Sequence, residues 1–180
     1  MPAKTAEGYL FPATYTFEGN AAPEVIVNRL LDEFNQRFVN KYKAEILRHK
    51  LSFHELVTLA SIVEREAVLE EERATIAGVF INRLAIGMKL ESCATVQYAL
   101  PQHKKRLMLA DTRYPSPYNT YINAGLPPGP ICNPGLPSLL AALKPAKTDA
   151  LYFVARGDGG HIFTRTFAQH EAAIRKIRGK

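Results

Sequence analysis

Between Tyr114 and Pro137 the chain holds seven prolines and three glycines (Gly125, Gly129 and Gly135). Proline lacks the amide proton that helix interiors and inner strands require, so no long regular element crosses this stretch. A loop of such length inside a compact domain is uncommon and is usually functional when ordered. At 180 residues the chain fits one compact domain, or one domain with a small appendage. A chain of this size buries about 70% of its unfolded surface and needs neither metal nor disulfide to fold.

Upstream of the loop the periodicity is mostly helical. The first 20 residues read as short extended segments and turns around Tyr9-Leu-Phe11 and Thr14-Tyr-Thr-Phe17. Pro23 opens a helix to about Phe38 with Val25, Ile26, Leu30 and Phe34 on one face, and a short helix covers Lys41 to Arg48. Ser52-Phe-His-Glu55 is a capping box, flanked by Leu51 and Leu56 at staple positions, and predicts a helix to about Val68. Another helix spans Glu71 to Ile86, begun by acidic residues and closed by Gly87. Thr95 to Leu100 suits a short helix or a strand. Downstream of the loop come a short helix, Ser138 to Leu143, then strands Ala150–Ala155 and His161–Thr166 joined by Asp158-Gly-Gly160. A last helix runs from Phe167 to Ile177. The fold class is α+β: mainly helical, with a small, mostly antiparallel sheet.

The helix after Ser52 carries an anomaly. Phe53, Leu56, Val57, Ala60 and Ala67 fall on one stripe at about 100° per residue. Glu64 lands in that stripe, roughly 20° from Phe53, while Glu66 lies roughly 200° further round on the polar side. An inward carboxylate must be paired, hydrogen-bonded or protonated. Desolvation favours the protonated form, which is what a general acid near neutral pH requires. Pattern alone leaves two readings open: a catalytic acid, or a structural ion pair with an arginine such as Arg83 on the next helix.

Leu59-Ala-Ser-Ile-Val-Glu-Arg-Glu66 resembles the catalytic-helix motif of the MltG (YceG-like) family of endolytic murein transglycosylases. Further words resemble that family in the same order: Glu7-Gly-Tyr-Leu-Phe-Pro12, Val79-Phe-Ile-Asn-Arg-Leu84, Thr95-Val-Gln-Tyr98 and Ser116-Pro-Tyr-Asn-Thr-Tyr121. Gly125-Leu-Pro-Pro-Gly129, Asn133-Pro-Gly135, Lys144-Pro-Ala-Lys147 and Gly159-Gly-His161 continue the series, so the resemblance covers nearly the whole chain. It implies one catalytic domain over residues 1–180 that cleaves the β-1,4 bond between N-acetylmuramic acid and N-acetylglucosamine and leaves 1,6-anhydro ends. It assigns the catalytic role to Glu64, the first Glu of the Glu-X-Glu word, and leaves Glu66 a supporting or surface role. Family members often carry Asp-Pro before the Thr-Val word, where this chain has Cys93-Ala94.

By the same resemblance no metal or organic cofactor is required. Gln97, Tyr118, Asn119, Thr120, Tyr121 and Asn123 are the substrate-binding candidates. Each has a structural alternative, because Asn and Thr also build turns and tyrosines also pack. His161 and His54 suit structural roles better than acid/base ones. The resemblance implies an upstream membrane anchor and LysM-like subdomain, action outside the cytoplasmic membrane, peptidoglycan strands as substrate and peptidoglycan synthases as partners. An oxidising compartment permits a Cys93–Cys132 disulfide, which is expected here.

The formal net charge of +6 favours anionic partners. The basic residues are dispersed, with clusters only at His103–Arg106 and Arg175–Lys180 and no interleaved aromatics, so nucleic-acid binding is not expected. No stretch approaches the roughly 20 apolar residues of a membrane span, and Met1-Pro-Ala-Lys-Thr-Ala-Glu7 lacks the apolar core of a signal peptide. The competing reading is a non-catalytic peptidoglycan-binding module.

Overall fold

The computed structural model describes residues 5–179. Met1–Lys4 and Lys180, which belong to the segments read above for a signal peptide and a basic tail, lie outside that range. Helix α1, Pro23–Phe34, starts with proline in its first turn and runs on into a π-helical turn over Asn35–Val39. Helix α2 is Lys43–Arg48 and helix α3 is Phe53–Glu66. Both halves of the expected capping box form at Ser52 and Glu55. α3 stops two residues short of Val68 because Ala67 turns extended. A 3-10 turn over Glu70–Glu72 leads into α4, Arg73–Ala85, after which Gly87 takes a φ of 69°.

The ambiguous segment is a helix, α5, Cys93–Ala99. Helix α6, Leu136–Leu143, begins earlier than expected, with Pro137 in its first turn. Strands β1, Tyr152–Ala155, and β2, His161–Thr164, pair antiparallel with Tyr152 opposite Thr164 and Ala155 opposite His161. Helix α7, Phe167–Arg178, closes the chain with a second capping box, Thr166 and Gln169.

α3 is the centre of the molecule. Every residue from Leu56 to Val63 is buried, whichever face it occupies, and α4 and α6 pack against it. The core around it gathers Phe34, Phe38, Phe80, Leu90 and Leu139. The proline-rich loop is tied down along its length. Ser61 Oγ accepts from the Ile131 amide at 3.0 Å, and Asn133 Oδ1 accepts from the amides of Gly8 (2.7 Å) and Leu10 (3.2 Å). His54 spans the same seam, with Nδ1 2.7 Å from the Tyr9 hydroxyl and Nε2 2.9 Å from the Pro128 carbonyl, which is the structural role expected of it.

The hairpin is fastened to α4. Asn82 Nδ2 donates to the carbonyls of Thr148 (2.8 Å) and Ala150 (3.0 Å), and Arg83 Nε donates to that of Leu151 (2.6 Å). The Phe153 ring meets Phe80 edge-on at 5.7 Å. These bonds fix the hairpin's position relative to the end of α3, and so shape the cavity described next.

Candidate active site

A cavity of about 310 Å³ lies where the C-terminal turn of α3, the start of α5, the hairpin and α7 converge. Its walls include Glu66, Ser92, Tyr121, Tyr152, His161 and His170. Two carboxylates line it, Glu66 and Glu91; Glu91 pairs with Arg83 at 3.6 Å, and Glu66, from α3, was expected on the polar side of that helix. Ser92, the residue that starts α5, donates its hydroxyl to Glu66 Oε1 at 2.5 Å, and the Ala94 amide approaches the same oxygen at 3.5 Å. Glu66 Oε2 takes no hydrogen bond from the described residues, so one oxygen is oriented and the other is available.

Glu64 lies on a different side of α3. Its Oε2 accepts from Arg73 Nη1 at 3.3 Å and from the Gly135 amide at 3.2 Å, and Arg73 Nη1 also donates to Ser138 Oγ at 2.6 Å. The side chain is 29% exposed, so it is neither sealed nor part of the cavity wall. The ion pair anticipated for Glu64 thus exists, but with Arg73. Arg83 instead serves the carbonyls of Leu151, Lys89 and Leu90 and pairs with Glu91 at 3.6 Å. Both glutamates are partly buried, Glu64 toward α4 and α6 and Glu66 toward α5. A helix covered on every side has no single inward face, and in its last turn the "polar" side meets α5.

Among the six substrate-binding candidates, Tyr121 is the one that borders this cavity. Its hydroxyl is 3.2 Å from Cys93 Sγ. Burial, reinforced by Cys93 and by the carboxylates of Glu66 and Glu91, pushes the phenol well above its ordinary value and keeps it protonated. Asn119 and Thr120 are fully buried and correct the expectation that they touch sugar. Asn119 Nδ2 donates to the carbonyls of Thr112 (3.0 Å) and Tyr114 (2.8 Å), and its Oδ1 accepts from the Tyr121 amide (2.9 Å). Thr120 Oγ1 accepts from the Ser92 amide at 3.0 Å and contacts Thr95 Oγ1 at 2.8 Å. Both hold the loop in the shape that places Tyr121.

Asn123 is exposed, with Nδ2 donated to Ser116 and Asn119 carbonyls. Tyr118 packs on Tyr98 with centroids 4.8 Å apart, and Gln97 Nε2 is buried without a protein partner; neither borders this cavity. The expected disulfide is not formed. Cys93 and Cys132 are free thiols, the first bonded to Tyr121 and the second donating to the Ser61 carbonyl at 3.3 Å.

Two histidines also line the cavity: His161, expected in a structural role, and His170, which no sequence signal singled out. His161 is the first residue of β2, and its ring is fixed by Glu72 at 2.7 Å. His170 stacks on Tyr152 at 5.3 Å. Burial, with the Arg83 guanidinium close by, pulls the His170 imidazole below its ordinary value. Among the described residues there is no group of three or more His, Cys, Asp or Glu arranged to hold a metal. The arrangement offers the Glu66 carboxylate with a free oxygen, the Glu91 carboxylate paired to Arg83, a phenol donor and imidazole edges around a space of sugar size. That set is suited to proton transfer on a neutral polar ligand.

Known proteins match the chain over nearly its full extent. The model of the YceG-like family matches residues 2–176. An endolytic murein transglycosylase of Bacillus subtilis is 46% identical over 171 residues, covering 94% of this chain and 47% of that protein. An enzyme of the same name from Streptococcus pneumoniae is 38% identical over 162 residues, 87% of this chain and 29% of that protein. A crystal structure of a YceG-like protein from Listeria monocytogenes superposes with a TM-score of 0.88 at 44% identity, over 93% of this chain and 55% of that one. The chain thus spans about half, or less, of the length of these relatives.

Proposed function

The chain belongs to the YceG-like family, and on that premise we propose that it is the catalytic domain of an endolytic murein transglycosylase working through Glu66. The observation that carries this reading is a carboxylate with one oriented and one unengaged oxygen at the wall of a cavity bordered by Tyr121 and His161. Protonated Glu66 donates its proton to the glycosidic oxygen as the bond from C1 of the muramyl residue breaks, and the N-acetylglucosamine leaves with a 4-hydroxyl. The resulting carboxylate takes the proton of the muramyl C6 hydroxyl as that oxygen bonds to C1. The 1,6-anhydro ring closes and Glu66 returns to its acid form, so one residue serves as both acid and base. Tyr121, held protonated, is the donor best placed to steady polar groups of the sugar.

Glu64 is the second candidate, because its Oε1 takes no hydrogen bond from the described residues and its side chain retains 29% exposure. Arg73 and Gly135 both address its other oxygen, and it stands outside the cavity wall, which favours a role in joining α3 to α4 and α6. Peptidoglycan strands are the substrate in this reading. Action on the cell wall outside the cytoplasmic membrane and contact with peptidoglycan synthases follow from the same reading of the whole protein.

Digestion of purified murein sacculi in ¹⁸O-water tests the reaction type. Release of 1,6-anhydromuramyl ends without ¹⁸O supports it. Reducing ends carrying ¹⁸O point to a hydrolase. Tight wall binding with no product points to a non-catalytic binding module.

A further inference from the structure

Glu72 and His161 form a buried pair. Glu72 Oε1 accepts from the His161 amide at 2.9 Å and Glu72 Oε2 lies 2.7 Å from His161 Nδ1. The two side chains are 14% and 8% exposed. The His161 ring also meets Phe153 edge-on at 5.3 Å and lies 6.1 Å from Phe163, so its plane is set from two sides. A hairpin residue needs none of this: its backbone already pairs with Ala155. The arrangement is that of an imidazole held in one orientation by a carboxylate at its far nitrogen.

The two nitrogens are thereby given different jobs. Burial alone pushes the Glu72 carboxyl up. The amide and imidazole of His161, with Arg156 nearby, outweigh that and leave it below its ordinary value. An ionised Glu72 only accepts, so the ring nitrogen facing it, Nδ1, carries a proton, and in the neutral tautomer this leaves Nε2 as the acceptor. Nε2 has no partner among the described residues and is not among the sealed, unpartnered atoms, while the residue borders the same cavity as Glu66.

We propose that His161 is a positioning residue whose Nε2 accepts a hydrogen bond from a hydroxyl or an amide N–H of the glycan in the cleft. The inference rests on the glycan reading given above. It adds that the hairpin wall recognises the sugar's donors while Glu66 handles the proton opposite. Glu72 contributes by fixing the tautomer, and without it the bare nitrogen need not face the cavity.

The test uses the whole chain carrying Glu66→Gln, so that bound glycan is not turned over, titrated with a soluble murein tetrasaccharide. His161→Asn keeps a donor where Nδ1 meets Glu72 but removes the Nε2 side. It is expected to weaken binding about three- to tenfold, the worth of one neutral hydrogen bond. His161→Gln, which restores a polar atom near the Nε2 position, is expected to recover part of the loss. Equal affinity of the Asn variant and the parent overturns the proposal. Imidazole ¹⁵N spectra of the parent provide a readout independent of any His161 variant's folding. Nδ1 should be protonated and Nε2 bare, with the Nε2 resonance moving upfield as glycan saturates. An Nε2 that is protonated from the start, or unmoved by bound glycan, refutes the role of His161 alone. Absence of any glycan binding refutes the glycan reading together with it.

Discussion

Gly78 lies inside α4, where glycine costs about 1 kcal/mol relative to alanine. Propensity alone therefore predicts that Gly78→Ala stabilises the protein. The structure predicts the reverse. A Cβ at this position falls 2.4 Å from the Ala146 carbonyl oxygen and 3.0 Å from Thr148 Cγ2, against 3.4 Å or more for ordinary contact. The neighbour that must retreat, by about 1 Å, is backbone rather than a flexible side chain. That backbone is also held where the Ala146 amide donates to the Ala74 carbonyl at 2.9 Å. Overpacking costs about 1–3 kcal/mol, and weakening one backbone hydrogen bond adds about 1 kcal/mol. Set against the propensity gain, the net is a loss of about 1–3 kcal/mol. For a domain of this size that lowers Tm by roughly 2–4 °C per kcal/mol. The same seam carries the Asn82 bonds to Thr148 and Ala150, so turnover should fall further than the folded fraction does. Calorimetric unfolding decides it. A Tm at or above that of the parent refutes the claim that α4 and the 146–148 segment are in tight contact.

Three further outcomes follow from the same geometry. Burial, with Glu64 adding to it, pushes the Cys132 thiol up to about 12, whereas Cys93 is exposed. A disulfide-exchange reagent at pH 8 should modify Cys93 at least tenfold faster, and equal rates by peptide mass spectrometry contradict the placement of Cys132. Glu72 has a folded-state value below its ordinary 4.5, so the stability it contributes is present above that value and is lost as pH falls through the lower, folded one. Urea midpoints measured from pH 6 downward should show a smaller loss in Glu72→Gln, and parallel curves for the two proteins refute the assignment. Asn119→Ala strips three hydrogen bonds from a buried loop position and should cost about 2–4 kcal/mol. A variant with unchanged Tm and a raised KM would instead make Asn119 a substrate ligand.

Much of the framework was legible in the sequence because local chemistry determined it. The Ser52–Glu55 capping box, the Gly87 stop after α4, the order of elements and the hairpin turn at Asp158–Gly160 all form where their residue types require. The loop's tethers were less legible, since Gly8 meets Pro130 and Asn133 meets Gly8 across more than 100 residues and no periodicity records such contacts. The site was the least determined by pattern. Hydrophobic period distinguishes in from out only when one face is covered, and α3 is covered all round, so it could not tell which glutamate opens onto the cleft. Asn119 and Thr120 lie in a word matched to the family, yet polar residues in a proline-rich loop are first needed to satisfy its own backbone. Glu72 looked like one of three acidic residues favouring a helix start, and its partnership with His161 spans 89 residues. The disulfide failed because two cysteines in a permissive setting say nothing about whether their sulfurs meet.

The central claim is that the proton for bond cleavage resides on Glu66. Its most direct test compares initial rates of 1,6-anhydromuramyl release from sacculi for the parent, Glu66→Gln and Glu64→Gln, each normalised to folded protein. The account predicts a fall of about 10²- to 10⁴-fold for Glu66→Gln, with Glu64→Gln retaining at least a tenth of the parent rate. A Glu66→Gln enzyme that keeps its activity while Glu64→Gln loses it contradicts the account and returns the role to the carboxylate beside Arg73.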